Sequence, residues 1–258
     1  MTAPIPAIVL TCQRYAPLTE HMIDTYGEVW PDHPFLFRLP DGQATRKVAA
    51  RRPHGVELIT TAEGEARGRF RAAVLGLLAG LHDDAWVYWC IDDKYPIWLD
   101  LRVVRSLAAG LEAQPPAVAG LSFARRGSHR RTTPTSLHIR GYGFHRRTDY
   151  KQIWLHQFLR AKVLRRLFEG FPEVIPSAKE MDDLHARATL PAEHARYEID
   201  RNAAVFGEST HRGMITANCA ESLRRHRGIP EGFDVCSQRL VIGRHPSWFA
   251  RLMAHAGL

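Results

Sequence analysis

Apolar positions in the first half of the chain alternate between two periods. Pro6 to Thr11 is a continuous apolar run, predicting a strand buried on both faces. Leu18, Met22, Ile23, Tyr26 and Val29 then recur at helical spacing. Phe35-Leu36-Phe37 predicts a second short strand, Asp41-Gly42 a turn, Arg46 to Gly55 a polar basic connection, and Val56 to Thr60 a third strand. Ala66 to Leu81 follows as a helix, with Phe70, Ala73, Val74, Leu77 and Leu81 on one face. Ala85 to Ile91 reads as a buried strand, Leu99 to Leu111 as a helix and Ala117 to Phe123 as another strand. Strand and helix in alternation imply an α/β fold, with a mostly parallel central sheet and helices on both faces.

The second half is less regular. Gly127 to Thr135 is polar and basic and predicts a mobile loop, and Leu137 to Phe144 a strand. Tyr150 to Phe168 predicts a strongly apolar helix through Ile153, Trp154, Leu155, Phe158, Leu159, Val163, Leu164 and Leu167. After Gly170-Phe171-Pro172 comes the acidic segment Lys179-Glu180-Met181-Asp182-Asp183, and then a helix from about Ala217 to Arg227. Neither a repeat nor an interdomain linker interrupts residues 1–258, so a single domain is expected.

Charge adds a partner class. The chain carries a net charge of +8, and its arginines cluster as Arg125-Arg126, Arg130-Arg131, Arg146-Arg147, Arg165-Arg166 and Arg224-Arg225. Guanidinium forks suit phosphate, so nucleic acid, anionic lipid and nucleoside diphosphates all fit. Cys12, Cys90, Cys219 and Cys236 have no zinc-like spacing, which predicts reduced thiols and a cytoplasmic setting. Met1 to Pro6 lacks the basic and apolar regions of a signal peptide, and no run reaches the roughly 18 apolar residues of a membrane span.

The most informative feature is the end of the run Ala85-Trp86-Val87-Tyr88-Trp89-Cys90-Ile91, where Asp92 and Asp93 stand side by side. Two carboxylates at the C-terminal end of a buried strand would lie where open α/β sheets bind ligands. Adjacent carboxylates repel each other and require a metal ion, an arginine or a hydroxyl-rich ligand to compensate. The alternative use of the pair is to open the next helix, because aspartate is favoured at helix N-caps.

These elements, in this order, resemble the nucleotide-sugar-dependent glycosyltransferases of the GT-A fold, and in particular bacterial sugar transferases of cell-surface polysaccharide clusters. The opening strand Ile8-Val9-Leu10-Thr11-Cys12 and the segment Ile91-Asp92-Asp93-Lys94-Tyr95 are similar to that family's first strand and its Leu-Asp-Asp-aromatic signature. Gln152-Ile153-Trp154 with Phe158-Leu159 resembles its aromatic segment, and Ser177-Ala178-Lys179-Glu180-Met181-Asp182 a degenerate form of its Ser-Pro-Trp-Glu-Phe-Glu stretch. Arg212-Gly213-Met214-Ile215 is similar to its glycine turn before a helix. Lys179 stands in place of the tryptophan, and Lys94 intrudes after the aspartates, where it could pair with Asp92 or Asp93 and compete with a metal.

The resemblance implies a GT-A-like domain with a nucleotide-binding half, 1–125, and an acceptor-side half, 126–258. It implies inverting transfer of a sugar from a nucleoside diphosphate sugar to a hydroxyl of a cell-surface glycan or lipid-linked acceptor. Asp182 is the first candidate general base, Glu180 the second, and Asp183 a third because the acidic register is ambiguous. Thr11, Cys12, Asp92 and Trp154 are candidate nucleotide-sugar contacts, and Arg67 and Arg71 candidate cations for the departing diphosphate. Asp93, with His211, is the candidate ligand set for Mn2+ or Mg2+. A lipid-linked acceptor would station the enzyme peripherally at the inner face of an anionic membrane, with the arginines from Arg125 to Arg131 beside the acceptor.

Two other functions remain open at this point. A nucleotidyltransferase making sugar nucleotides also uses paired acids, but Thr11-Cys12-Gln13-Arg14-Tyr15-Ala16 lacks the glycines of its phosphate loop. A basic nucleic-acid-binding domain would expose aromatics beside its cations, whereas the tryptophans here sit in apolar runs, and no specific nucleic acid is expected. No Gly-x-Gly-x-x-Gly or Walker-type loop follows any strand, which argues against dinucleotide enzymes and P-loop NTPases.

Overall fold

The computed structural model describes residues 3–61, 69–124, 132–147, 153–175, 178–189 and 191–243. The described part opens with strand β1 (Ile5–Leu10), helix α1 (Ala16–Val29), β2 (Phe35–Pro40), α2 (Gln43–Arg51), β3 (Val56–Ile59), α3 (Phe70–Leu77) and β4 (Trp86–Ile91). It continues through β5 (Lys94–Leu99), α4 (Leu101–Gly110), β6 (Val118–Ser122), β7 (Thr132–Ile139), β8 (Tyr142–Arg147), β9 (Gln157–Arg160) and α5 (Ala161–Glu169). The remainder is α6 (Ala178–Arg187), β10 (Ala195–Ile199), β11 (Ala204–Glu208), β12 (Thr210–His211), β13 (Met214–Ile215), α7 (Ala217–His226) and β14 (Val241–Ile242).

Nine strands form one sheet in the order β3-β2-β1-β4-β9-β6-β10-β8-β7. β3, β2, β1 and β4 pair in parallel, as the strand–helix alternation predicts. β9 runs antiparallel between β4 and β6, and β8 runs antiparallel between β10 and β7. The sheet is therefore α/β and mixed, with a parallel half that places the ends of β1 and β4 side by side. Leu10 is in register with Ile91, so Thr11 and Asp92 emerge together at the C-terminal edge.

Core residues cover both faces. On one, Tyr26 of α1, Phe37, Tyr88, Phe123 and Phe158 pack with α4 and α7, and the Phe35 and Tyr88 rings stack at 4.1 Å. On the other, Ile8, Trp89, Leu159 and Phe168 pack with α3 and α5. Each buried aromatic side chain contributes on the order of 2–3 kcal/mol relative to exposure, and this is what holds a central strand such as β4, buried at all six positions.

Four expectations are corrected here. Arg46 to Gly55 is not simply a polar connection, because Gln43–Arg51 forms α2, with only Thr45 and Val48 buried. A helix this polar shows almost no apolar stripe to read. The apolar run expected as one helix from Tyr150 to Phe168 splits: Gln157–Arg160 is strand β9, and the helix begins at Ala161. The apolar residues of this run fit a short buried strand as well as a helix, and β9 is buried throughout even though it begins at Gln157 and ends at Arg160. Leu137 to Phe144 is not one strand but a hairpin, turning at Arg140 and Gly141, both of positive φ. The expected loop from Gly127 lies outside the described residues up to 131, while Thr132 to Thr135 already belongs to β7.

Among the described residues, no helix is long and apolar enough to cross a membrane. All four cysteines are free thiols.

Candidate active site

Asp92 and Asp93 do not open a helix. They form the turn between β4 and β5, and the next helix is capped instead by Asp100, whose carboxylate accepts from the backbone N–H groups of Arg102 and Val103. The pair is thus held at the C-terminal end of a central strand. Asp92 N–H donates to the Leu10 carbonyl at 3.3 Å, extending the β1–β4 ladder by one bond.

The strand end is fixed from below by a buried side chain. His156, wholly buried, lies just before β9 and takes the place of a strand partner for Ile91. Its Nε2 is 3.0 Å from the Ile91 carbonyl and 3.2 Å from the Ile91 N–H, so either tautomer holds that residue's backbone. Its Nδ1 meets the Tyr26 hydroxyl at 2.7 Å, and Tyr26 in turn meets the Tyr88 hydroxyl at 2.7 Å. Burial pushes the His156 imidazole down to about 3, so it is neutral throughout the physiological range.

The two carboxylates differ. Asp92 is half-buried, and burial, reinforced by the adjacent Asp93 charge, pushes it up to about 8. The Thr11 hydroxyl and the Cys12 backbone N–H oppose that rise by hydrogen bonding. Near pH 7 Asp92 is therefore mostly protonated and can donate as well as accept. The Asp93 side chain is 41% exposed, and its Oδ1 accepts from Lys94 Nζ at 3.0 Å, while the Lys94 side chain is only 8% exposed.

Thr11 is buried, with its hydroxyl 2.6 Å from that of Thr19. Cys12 is exposed beside Asp92, and burial of the thiol group's surroundings raises it. The next turn carries further groups that no motif marks. Gln13–Tyr15 is a 3-10 turn that carries the Tyr15 hydroxyl into the field of Asp92, Asp93 and Cys12. The Tyr15 ring is 5.7 Å from that of Phe233, and the Arg14 guanidinium lies 5.2 Å from the Phe233 centroid and 5.8 Å from that of Tyr15. Arg14 and Tyr15 were legible as the residues following a parallel strand. Phe233, from a coil more than two hundred residues away, carried no signal.

His211 is placed close in the chain to this edge. Ser209 N–H donates to the Asp93 carbonyl at 2.6 Å, and the hairpin of β12 and β13 begins immediately after it. Gly213, at φ 80°, makes the tight turn that the sequence marked before α7. At Gly207 a side chain is forbidden for another reason: a Cβ there would lie 2.4 Å from the Tyr95 ring, which crosses β11 to reach Asn218.

Trp154 and the buried side of α6 belong to the core on the α3 and α5 face of the sheet. Arg71 donates to the Phe171 carbonyl at 3.1 Å and ties α3 to the end of α5, while Arg67 lies outside the described residues. Trp154 packs between Trp89 and His185 of α6, with ring centroids 6.3 and 5.7 Å away. It is therefore a bridge from the acid-bearing strand to α6. Glu180 and Asp183 are exposed on α6, whose Met181 and His185 face the core. The Asp182 side chain and Gln152 lie outside the described part, as do Arg125 to Arg131.

Among the described residues, no three His, Cys, Asp or Glu side chains come together as a metal site. Asp93 has its Oδ1 taken by Lys94, and its remaining oxygen alone does not make up the ligand set of a divalent ion.

No protein-family profile matches the chain, and no curated protein matches it. Solved structures do. The S. aureus TarS fragment 1–349 aligns over 78% of this chain and 59% of its own, at 14% identity and TM-score 0.48. The galactosyltransferase LgtC, in complex with donor and acceptor sugar analogs, aligns over 74% of this chain and 68% of its own, at 14% identity and TM-score 0.40. A 4-diphosphocytidyl-2C-methyl-D-erythritol synthase aligns over 87% of this chain and 99% of its own, at 13% identity and TM-score 0.43. At these identities and TM-scores the likeness assigns neither substrate nor reaction.

Proposed function

We propose that the chain is a glycosyltransferase that takes a sugar from a nucleoside diphosphate sugar. The observation that carries this reading is the pair Asp92–Asp93 at the end of β4, level with the end of β1 and flanked by Thr11, Cys12 and Tyr15. A half-buried, largely protonated carboxyl suits hydrogen bonding to ribose or sugar hydroxyls. Tyr15, Phe233 and Arg14 offer π-faces and a cation at the same edge, which suit a base and a phosphate. The motif order that resembles the GT-A enzymes points the same way.

In the proposed reaction the acceptor oxygen attacks the anomeric carbon, and the bond from that carbon to the diphosphate oxygen breaks. The acceptor proton passes to a carboxylate of α6. Asp182 is the first choice, ahead of Glu180 and Asp183, and Trp154 holds that helix against β4. Negative charge grows on the departing diphosphate, so a fixed cation beside it lowers the barrier. An inverting outcome, a surface-glycan or lipid-linked acceptor, and a peripheral station at an anionic membrane belong to the same reading.

Calorimetric titration with UDP-, GDP- and dTDP-sugars, each in EDTA and in Mn2+, tests it. Binding of one of them, weakened in Asp92→Ala, is the expected result. Absence of binding by all of them in both conditions would overturn the proposal. Once a donor is known, Asp182→Asn and Glu180→Gln should each be assayed for turnover. Near-normal rates in both would move the base to Asp183.

A further inference from the structure

We infer that Lys94 is the built-in counter-ion of this site and that the chain binds its nucleotide without a divalent metal. The inference rests on the nucleotide-sugar reading above. Its basis is the placement of one ammonium group.

Lys94 opens β5 directly after the two aspartates, and its side chain is 8% exposed. Its Nζ donates to Asp93 Oδ1 at 3.0 Å, and Asp93 is its one hydrogen-bond partner among the described residues. Its charge is also felt at Asp92 and at the buried His156 imidazole. A lysine seldom stays this buried unless it is paired, and here the pairing partner is the very carboxylate that a metal would need.

The local backbone leaves it little choice. β5 pairs antiparallel with β11, with Lys94 opposite Glu208, and Ser209 N–H fixes the Asp93 carbonyl at 2.6 Å. Tyr95, the next residue, is locked by Asn218 at 2.9 Å. The Lys94 backbone is held on both sides, which limits where its ammonium can go.

An ammonium has three donors, and Asp93 takes one. The others can meet phosphate oxygens at the same edge, where charge-assisted bonds are the strong ones. Lys94 occupies Oδ1 of Asp93, so a divalent ion on Oδ2 would sit beside an ammonium that is already buried there. Lysine thus supplies the positive charge that a protein-held Mn2+ or Mg2+ would otherwise bring.

The test is calorimetric binding of UDP, GDP, dTDP and CDP to the full chain in EDTA and in millimolar Mn2+. For the native chain we expect at least one nucleotide to bind with affinities equal within about threefold in the two conditions. Lys94→Met should lose about tenfold or more in EDTA, the size of one charged hydrogen bond, and recover part of it in Mn2+. If the native chain needs Mn2+ for binding, or if Lys94→Met binds normally in EDTA, the inference falls while the nucleotide reading stands. If no nucleotide binds in either condition, both fall. Should Lys94→Met fail to fold, Asp93→Asn decides: it should hold or tighten binding both in EDTA and in Mn2+ because it frees Lys94, whereas loss of binding in Mn2+ would mark Asp93 as a metal ligand and overturn the inference.

Discussion

Two acidic clusters in this molecule are neutralised in opposite ways. Away from the acid pair, along α1 and the last turn of α7, Glu20 and Asp24 face three arginines. Glu20 accepts from Arg51, Arg52 and Arg227, and Asp24 from Arg52 and Arg227. Burial alone would raise Glu20, but the guanidinium groups outweigh it and hold the carboxyl below its usual range. At the end of β4, by contrast, two carboxylates share one lysine, and Asp92 is driven up to about 8. The first cluster is saturated with protein partners and behaves as a clasp between α1, α2 and α7. The second is left short of positive charge, which is the condition of a site awaiting a ligand.

The comparison can be broken most forcefully at Glu20. Glu20→Gln should cost about 3 kcal/mol, because it leaves partly buried arginines without their shared carboxylate. Urea unfolding at pH 7 measures it, and a loss below about 1 kcal/mol would mean that the clasp is ornamental.

Asp92 should respond with the opposite sign. Its folded pKa lies above the ordinary carboxylate value, so the native state holds more protons than the unfolded chain between about pH 4 and pH 8. Stability contributed at this position therefore falls as pH rises through that window. Asp92→Asn removes the dependence, and the variant should be more stable than the native chain by on the order of 2 kcal/mol at pH 8 and equal to it at pH 4. Parallel unfolding curves at the two pH values check this. Destabilisation at pH 8 would place Asp92 with the saturated cluster.

Smaller effects sharpen the contrast. The Thr216 side chain caps α7 by accepting from the Cys219 N–H, and Thr216→Ala should cost about 1 kcal/mol by thermal unfolding. Since Arg227 directly follows α7, part of that loss should vanish in the Glu20→Gln background. Arg105→Ala removes an exposed pair with Asp32 and should leave unfolding unchanged, which sets the floor for the series.

The same contrast shows what the sequence could reveal. The Asp92–Asp93 edge was legible because an apolar run stopped abruptly at charge, and because β1 and β4 are simple parallel strands whose ends line up. Lys94 was legible as a competitor for metal, although which aspartate it would choose was not. The Glu20 clasp was invisible: its arginines come from positions 51, 52 and 227, and no local pattern joins them to α1. β9 was misread for a related reason, since a strand with both faces buried has no period of its own. Phe233 and His156 reach the site from distant segments and could be found only once the fold had brought them there.

Cys12 offers the most direct test of the central claim that a nucleotide sugar binds at the ends of β1 and β4. It is exposed beside Asp92, while Cys90 and Cys219 are buried, so a Cys236→Ser chain has one accessible thiol among the described cysteines. The rate of Cys12 alkylation should slow saturably as the bound nucleotide sugar is added, and the protection should be lost in Asp92→Ala. An alkylation rate indifferent to a nucleotide sugar that calorimetry shows to be bound would put the ligand elsewhere and contradict the account.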